Sequence, residues 1–374
     1  AFGSAYSFST FFESLQIEFG TSRSSVSFVF AIAGFLYFSL SPLSGQIADR
    51  FGSRRVIIFG VIVISISLLL SSRAKTMWQI YAAYSFGIGI GIGFAYAPSM
   101  GVVQRWFVKR RGLASGLAVM GIGLGTLGIP IFSAALIHWS DWRTAYLVMS
   151  ILVFTCGVSA AILIDESPER RGLAPDGDVI EADALNTAQE TFKPEATSIR
   201  EISLKDALHT KPFWLLYAGS FSFGLGLFIP FVHLIPFTND LGLPNATGVM
   251  LFSLIGVGSI VGRLLLGSIA DKLGRRQSLA AMYVGAASIF AWWLVAANVW
   301  QLAIFAIIYG ACYGGYVAIL PAVTADYFSG PKISGIIGMI YTSVAVGNLI
   351  GPTAAGFIFD LAQSYTIPIF ASMI

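Results

Sequence analysis

Two stretches of this chain, GQIADRFGSRR from Gly45 and GSIADKLGRRQ from Gly267, are versions of one another displaced by 222 positions. The same displacement carries Gly34 onto Gly256, Ile47 onto Ile269, Ala48 onto Ala270, Asp49 onto Asp271, Gly52 onto Gly274 and Arg54 onto Arg276. Further along it carries Gly93 onto Gly315, Gly116 onto Gly338, Gly125 onto Gly347 and Pro130 onto Pro352. One register across most of both halves marks a duplicated unit, so the fold must be one that two similar units build together.

The solvent of that unit follows from composition. With 56% hydrophobic residues, 11% charged residues and a mean hydropathy of +0.78, too little polar surface is left for a soluble globule of 374 residues. The chain is therefore read as integral to a lipid bilayer, where a helix needs about 20 apolar residues to cross about 30 Å of hydrocarbon. Broken at its charged and Gly/Pro-marked hinges, the sequence yields twelve such spans: 1–19, 24–47, 55–73, 77–104, 112–138, 142–164, 211–239, 246–269, 277–297, 299–326, 333–358 and 364 onward. The predicted fold class is an all-α membrane protein of twelve transmembrane helices. They form two pseudo-symmetric six-helix bundles over residues 1–165 and 207–374, joined by a cytoplasmic linker over 166–206. The run from Asp165 to Asp206 carries eleven acidic and five basic residues and reads as a solvated connector with a short helix near Leu204 to His209. Because the first span starts without a methionine and the last is short, the sequence is read as part of a longer chain.

Basic residues orient the spans. The hinges after the second, fourth, eighth and tenth carry eleven (Arg50, Arg54, Arg55, Arg105, Lys109, Arg110, Arg111, Lys272, Arg275, Arg276 and Lys332), against four (Arg23, Arg73, Lys75 and Arg143) on the opposite side. By the positive-inside bias both ends and the linker face the cytoplasm, and the expected location is the plasma membrane, the inner membrane of a bacterium. The net charge of +3 is small and arises at span ends, so no nucleic-acid partner is expected. Cys156 and Cys312 lie inside apolar spans as packed thiols, which excludes a disulfide framework. Gly123, Gly125 and Gly128 fit the GxGxxG spacing, yet no strand precedes them and they lie within a span, so a dinucleotide site is rejected. No Walker loop, metal-spaced His/Cys cluster or nucleophile elbow is present, and neither a cofactor, a metal nor an enzymatic reaction is expected. Asn245, Ala246 and Thr247 form a glycosylation sequon, with Asn245 equally suited to cap the eighth helix.

One basic side chain remains after the hinges and linker are accounted for: Arg263, inside the eighth span. It precedes Asp271 by eight residues, about 12 Å of helix, which is too deep for easy snorkelling. A central arginine costs about 2.5–3.5 kcal/mol on insertion scales, so such a charge faces a partner or an aqueous cavity. Its planar, permanently charged fork matches a carboxylate, and the ligand class it suggests is an organic acid. The alternative is an ion pair with a fixed protein carboxylate, for which Glu13, Glu18 and Asp326 are the nearest candidates. A single buried cation also favours a small monoanion, since a second carboxylate would stay uncompensated. Tyr6, Ser9, Tyr96, Tyr313, Tyr316, Tyr341 and Asn348 are the hydroxyls and amide expected around it as substrate-binding residues. His233 in the seventh span is the proton-coupling candidate, with a backbone-satisfied histidine as the alternative. In the cassettes, Asp49 with Arg50 and Asp271 with Arg275 are candidate gates at tight turns. Glycines four apart (Gly121/Gly125, Gly258/Gly262, Gly310/Gly314, Gly347/Gly351) suit close helix packing.

The doubled GxxADxxGxR cassette resembles that of the major facilitator superfamily, and the resemblance covers nearly the whole chain. WFVKRRGLASGLAVMG, from Trp106, is similar to the fifth-helix signature of the monocarboxylate transporter family, with Trp106 where Tyr or Phe is usual. GVGSIVGRLLLGSIADKLGRR, from Gly256, is similar to the eighth helix of that family, whose arginine holds the substrate carboxylate. The resemblance implies alternating access, proton-linked movement of lactate- or pyruvate-like acids, Arg263 in the carboxylate role and Asp49 and Asp271 in the gate role. Ser259 stands where animal members have an aspartate one turn before the arginine, which leaves the proton carrier open. The related oxalate-exchanging branch has a lysine in its eleventh helix, and the stretch Val344 to Asn348 has no charge here. The expected function is secondary active transport of a small monocarboxylate with a proton, by a monomer in the lipid bilayer. An organic-anion exchanger of the oxalate or formate type and a non-transporting carboxylate sensor are the competing readings.

Overall fold

The computed structural model describes residues 2–107, 111–166, 168, 173, 204–328 and 333–373. Its regular structure is helical: α1 (Phe2–Tyr6), α2 (Phe8–Phe19), α3 (Arg23–Phe51), α4 (Ser53–Ser71), α5 (Met77–Ile80), α6 (Phe86–Trp106), α7 (Arg111–Trp139) and α8 (Trp142–Leu163) come first. After the linker follow α9 (Leu204–Leu208), α10 (Lys211–Leu227), α11 (Ile229–Asp240), α12 (Asn245–Val261), α13 (Gly267–Leu273), α14 (Arg275–Val295), α15 (Val299–Tyr327), α16 (Ile333–Ala362) and α17 (Thr366–Ala371). Single π-helical turns, Tyr81–Ser85 and Gly262–Leu266, connect α5 to α6 and α12 to α13.

Among the described residues, ten helical stretches are long and apolar enough to cross a membrane, from Arg23–Ala48 to Gly335–Ala362. The first expected span is two pieces, α1 and α2, and the last holds only the six-residue α17. The short helix expected at the end of the linker is α9, and the linker itself lies largely outside the described residues.

The duplication is visible in where helices begin. Starts at residues 23, 53, 77 and 111 recur at 245, 275, 299 and 333, each 222 further on. Even the caps repeat: Thr76 accepts from the Gln79 N–H before α5, and Asn298 from the Gln301 N–H before α15. Gly52 and Gly274 end the two cassette helices at φ 92° and 101°, backbone that a side chain would strain, so the turn geometry itself requires glycine twice. At the other end of the molecule Asp141 caps α8, and the Thr144 N–H at 2.6 Å holds its carboxyl below the usual carboxylate range.

The two largest seams between the amino-terminal and carboxy-terminal helices are those of α3 on α16 and α7 on α12. The repeat maps α3 onto α12 and α7 onto α16, so these seams are equivalents of one another, as a duplicated pair of units requires. Prolines 42, 98, 130, 321 and 352 lie inside helices, which neighbouring helices tolerate in a membrane setting. Two expectations change. Cys156 is exposed on α8, not packed, while Cys312 is buried. Asn245 is the first helical residue after Pro244 and makes no cap; its amide donates instead to Glu13.

Candidate functional site

The position of Arg263 is set by the crossing of α12 and α15. A Cβ on Gly258 or Gly262 would run into the carbonyls of Ile307 or Ala311, and one on Gly310 or Gly314 into those of Ile255 or Ser259. Only glycine lets the two backbones meet this closely. At Gly262 α12 gives way to the π-helical turn, a device that re-aims side chains and often marks functional positions. Arg263 thereby lies against Tyr313 on α15, its guanidinium carbon 5.6 Å from the ring centroid.

The guanidinium is only 7% exposed and makes one hydrogen bond, from Nη1 to the Val119 carbonyl of α7 at 3.2 Å. Its Nε and Nη2 are buried without partners. Among the described residues no carboxylate pairs with it. Glu13 accepts from Asn239 at 2.9 Å, Glu18 pairs with Arg143 at 2.9 Å, and Asp326 pairs with Arg275 at 2.8 Å. The Ser259 hydroxyl, one turn before, is also without a partner. Two unsatisfied donor nitrogens on a permanent charge are costly in a low-dielectric interior, and a carboxylate ligand would accept from both.

A cavity of about 610 Å³ opens beside this group, a size ordinary for a small-molecule site. Its inner end is made by Tyr6, Tyr37, Phe228 and Tyr313, and it runs past Tyr96 and Tyr341 to Gln46, Ser53 and Arg105 at the cassette end of the bundle. Arg263 stands just behind the wall, where its charge acts on the phenols of Tyr6, Tyr96, Tyr313 and Tyr341. The Tyr6 and Tyr313 hydroxyls meet at 2.9 Å, across the junction of α1 and α15. Five expected tyrosines (Tyr6, Tyr96, Tyr313, Tyr316 and Tyr341) thus line one cavity.

Three other candidates lie elsewhere. Ser9 donates to the Val232 carbonyl at 3.1 Å in the packing of α2 on α11. Asn348 sits at the seam of α3 and α16, over Gly34, and donates to the Ala31 carbonyl at 3.2 Å. His233 is wholly buried on the side away from the cassettes. The cavity adds residues absent from the sequence reading. Tyr37, Phe38, Ser41, Pro42, Gly45 and Gln46 form a lining stripe along α3, and their spacing of one, three or four residues was the available signal.

At the side opposite the cassettes the bundle is sealed. Arg23, first residue of α3, holds Asp240 of α11 with both terminal nitrogens at 2.6 Å. It also donates to the Tyr365 hydroxyl at 2.7 Å and lies 3.9 Å over the Phe359 ring. The backbone N–H groups of Arg23 and Ser24 and the Ser24 hydroxyl all donate to Asp360 of α16. His233 completes the network, with Nε2 2.9 Å from the Pro352 carbonyl and 3.1 Å from Ser27 Oγ, and Nδ1 3.0 Å from the Tyr365 hydroxyl. The Pro352 carbonyl can only accept, so Nε2 carries the ring proton and Nδ1 accepts from Tyr365. Every one of these contacts ties an amino-terminal helix to carboxy-terminal ones, or supports a residue that does.

Of the gate candidates, Arg50 is exposed, 5.5 Å from the Phe51 ring, and Arg275 pairs with Asp326 of its own half. The side chains of Asp49 and Asp271 lie outside the described residues. Neighbouring arginines instead strap down the chain after α8. Arg54 donates to the Ile164 carbonyl and to Asp165, Arg105 to the Glu166 carbonyl and Ser53, and the Trp106 indole to the Asp165 carbonyl.

The family model of the Major Facilitator Superfamily matches residues 1–291 and 250–374. The zebrafish (Danio rerio) protein named "Monocarboxylate transporter 12-B" is 28% identical over 379 residues, covering 97% of this chain and 79% of its own length. The rat (Rattus norvegicus) "Monocarboxylate transporter 3" is 28% identical over 98% of this chain and 73% of its own. The chicken (Gallus gallus) "Monocarboxylate transporter 4" is 25% identical over 97% and 75%. Among solved structures, a D-xylose-proton symporter superposes with a TM-score of 0.70 over 100% of this chain and 92% of that one, at 15% identity, a likeness of fold.

Proposed function

The chain belongs to the Major Facilitator Superfamily, and from that premise we propose that this multi-pass membrane transporter moves a small monocarboxylate, lactate- or pyruvate-like, together with a proton. The single observation that carries the reading is Arg263: a buried guanidinium beside a cavity, with two unpaired donors and no carboxylate paired with it among the described residues. The names of the relatives, all monocarboxylate transporters, support the same ligand class. The acid's carboxylate binds the free fork of Arg263, and Tyr6, Tyr96, Tyr313, Tyr316 and Tyr341 shape the cavity around its small body.

Twelve spans in two six-helix bundles, 1–165 and 207–374, rock about this centre, and the cassette face with the linker over 166–206 and both ends is cytoplasmic. The state described is then open to the cytoplasm and shut outside. His233 is the proton-coupling candidate. A second ring proton would turn its Nδ1 from acceptor to donor against the Tyr365 hydroxyl. Arg23, Asp240, Asp360 and Tyr365 surround that point, so a proton arriving from outside would disrupt the seal. The transporter works as a monomer in the bacterial inner membrane.

Ser259, with its unpaired hydroxyl where an acid would stand, favours a second reading in which one monoanion exchanges for another without a proton. Uptake into liposomes with an imposed pH gradient, competed by mono- and dicarboxylates, tests both. Accumulation of lactate that follows the gradient and ignores dicarboxylates is expected. Gradient-independent exchange would favour the second reading, and no carboxylate uptake at all would refute the function.

A further inference from the structure

A groove of about 580 Å³ runs along the edge of the α3–α16 seam beside the seal, sharing no lining residue with the cavity. Two glycine contacts explain why it is there. A Cβ on Gly356 would fall 2.8 Å from the Ser24 backbone, and the Asn348 side chain lies directly over Gly34, so the two helices are pinned at both points. Between them Ser25 of α3 and Ala354 of α16 are too small to fill the gap, and Tyr81, in the π-helical turn before α6, forms a third wall. Phe28, Ile350 and Phe357 on the groove are exposed apolar side chains. In a membrane-spanning bundle such side chains face hydrocarbon.

The chemistry of the walls selects the occupant. Three of the four hydroxyls spend their donors inside the protein: Ser24 on Asp360, Tyr81 on the Ser25 carbonyl at 2.8 Å and Thr353 on the Leu349 carbonyl at 2.9 Å. The fourth, on Ser25, accepts from Ser22. Water, which needs about two to four polar partners, is poorly held there, and an empty groove forfeits dispersion contacts along its length. Trp78, exposed and edge-on to Tyr81 at 5.5 Å, sets the level of the lipid headgroups. From Leu349 to Phe357 the α16 wall is eight residues deep, about 12 Å, too shallow for a partner helix that spans about 30 Å. We propose that the groove binds one acyl chain of a phospholipid in the leaflet on the sealed side, and that the bound chain clamps the seal. Both halves build the site, and Ser24 both lines it and donates to Asp360 in the seal. Parting α3 from α16 at this end takes the groove apart, so the chain binds the sealed form and by linkage stabilises it. This holds whichever acid the cavity carries.

The site is tested by labelling lipid in place. The whole chain is reconstituted in phosphatidylcholine containing a trace of phosphatidylcholine with a diazirine on one acyl chain, illuminated, and its adducts mapped by mass spectrometry. Adducts on Phe28, Tyr81, Ile350 and Phe357 should exceed those on the exposed α8 face at Ile151 and Phe154. Ala354→Phe fills the groove and should bring its labelling down to the α8 level with α8 unchanged; Ala354→Leu takes its place if the ring prevents folding. Equal labelling of both faces in the unaltered chain, or groove labelling that survives in a folded, filled variant, would mean ordinary lipid contact only and overturn the site. The clamp is read separately with spin labels at Lys75→Cys and Ala297→Cys in an Arg23→Ala, Cys156→Ser background, which lacks the Arg23 bonds of the seal. Adding phosphatidylcholine to lipid-stripped protein in detergent should cut the fraction with the labels farther apart at least about twofold, the factor that a half-filled site gives. With Ala354→Phe the lipid should have little effect. No response to lipid in the unfilled protein would overturn the clamp.

Discussion

Removing the Arg23 side chain should tip the molecule toward its other state. In Arg23→Ala three contacts vanish, and all of them join α3 to the carboxy-terminal helices: the two-pronged grip on Asp240, the bond to Tyr365 and the cation–π contact with Phe359. The Asp240 pair is bidentate but its carboxylate is 36% exposed, so we assign it about 1 kcal/mol after screening. The Tyr365 bond adds about 1 kcal/mol and the ring contact about 0.5–1 kcal/mol. The total of about 2–3 kcal/mol is lost only from the closed seal, because separated halves do not make these contacts. At about 1.4 kcal/mol per factor of ten, the equilibrium moves about 30- to 150-fold. A conformer open on the sealed side at about 1% would rise to between about a quarter and a little over half. Spin labels at Lys75→Cys and Ala297→Cys, equivalent exposed positions in the repeat on the sealed side, read this directly in a Cys156→Ser background. Arg23→Ala should populate a longer inter-label distance. A distribution identical to the parent's would show that the network does not hold the seal.

Two further substitutions probe the frame. Gly258→Ala sets a methyl against the Ile307 carbonyl and should cost about 1–3 kcal/mol, seen as a lower melting temperature in detergent. Gly267→Ala, with open space around it, should stay within about 0.5 kcal/mol of the parent. His233→Gln keeps a donor for Pro352 but removes the titrating ring. Lactate exchange should persist while accumulation driven by a pH gradient falls, and full gradient-driven accumulation would remove His233 from the coupling.

Much of this was legible in the sequence because it is written locally or in the repeat. The 222-residue register anticipated paired helix starts, paired glycine turns and the equivalent seams. Arg263 stood out by charge bookkeeping alone, and five of the expected tyrosines converge because they sit on helices that the duplication places around one axis. What the sequence hid depends on which helix face meets which neighbour. Ser9 and Asn348 have the right chemistry and depth, yet their helices turn them into seams. Tyr37 lines the same cavity, but nothing local to its span marks the helix face that does so. The seal was invisible for a plainer reason: Arg23 meets partners 217 and 342 positions away, and no local pattern links such residues. The cassette pairs Asp49 with Arg50 and Asp271 with Arg275 read as candidate gates at their turns; the structure adds a partner for Arg275, Asp326, that no local pattern shows.

Titration calorimetry of pyruvate into purified protein addresses the unpaired guanidinium most directly. The unaltered chain should bind the acid, and Arg263→Gln, which keeps much of the bulk and loses the charge, should weaken binding at least about 30-fold, the lower bound for stripping one partner from a buried charge pair. Unchanged affinity in a folded Arg263→Gln protein would mean that the anion is held elsewhere and that this arginine serves only the architecture.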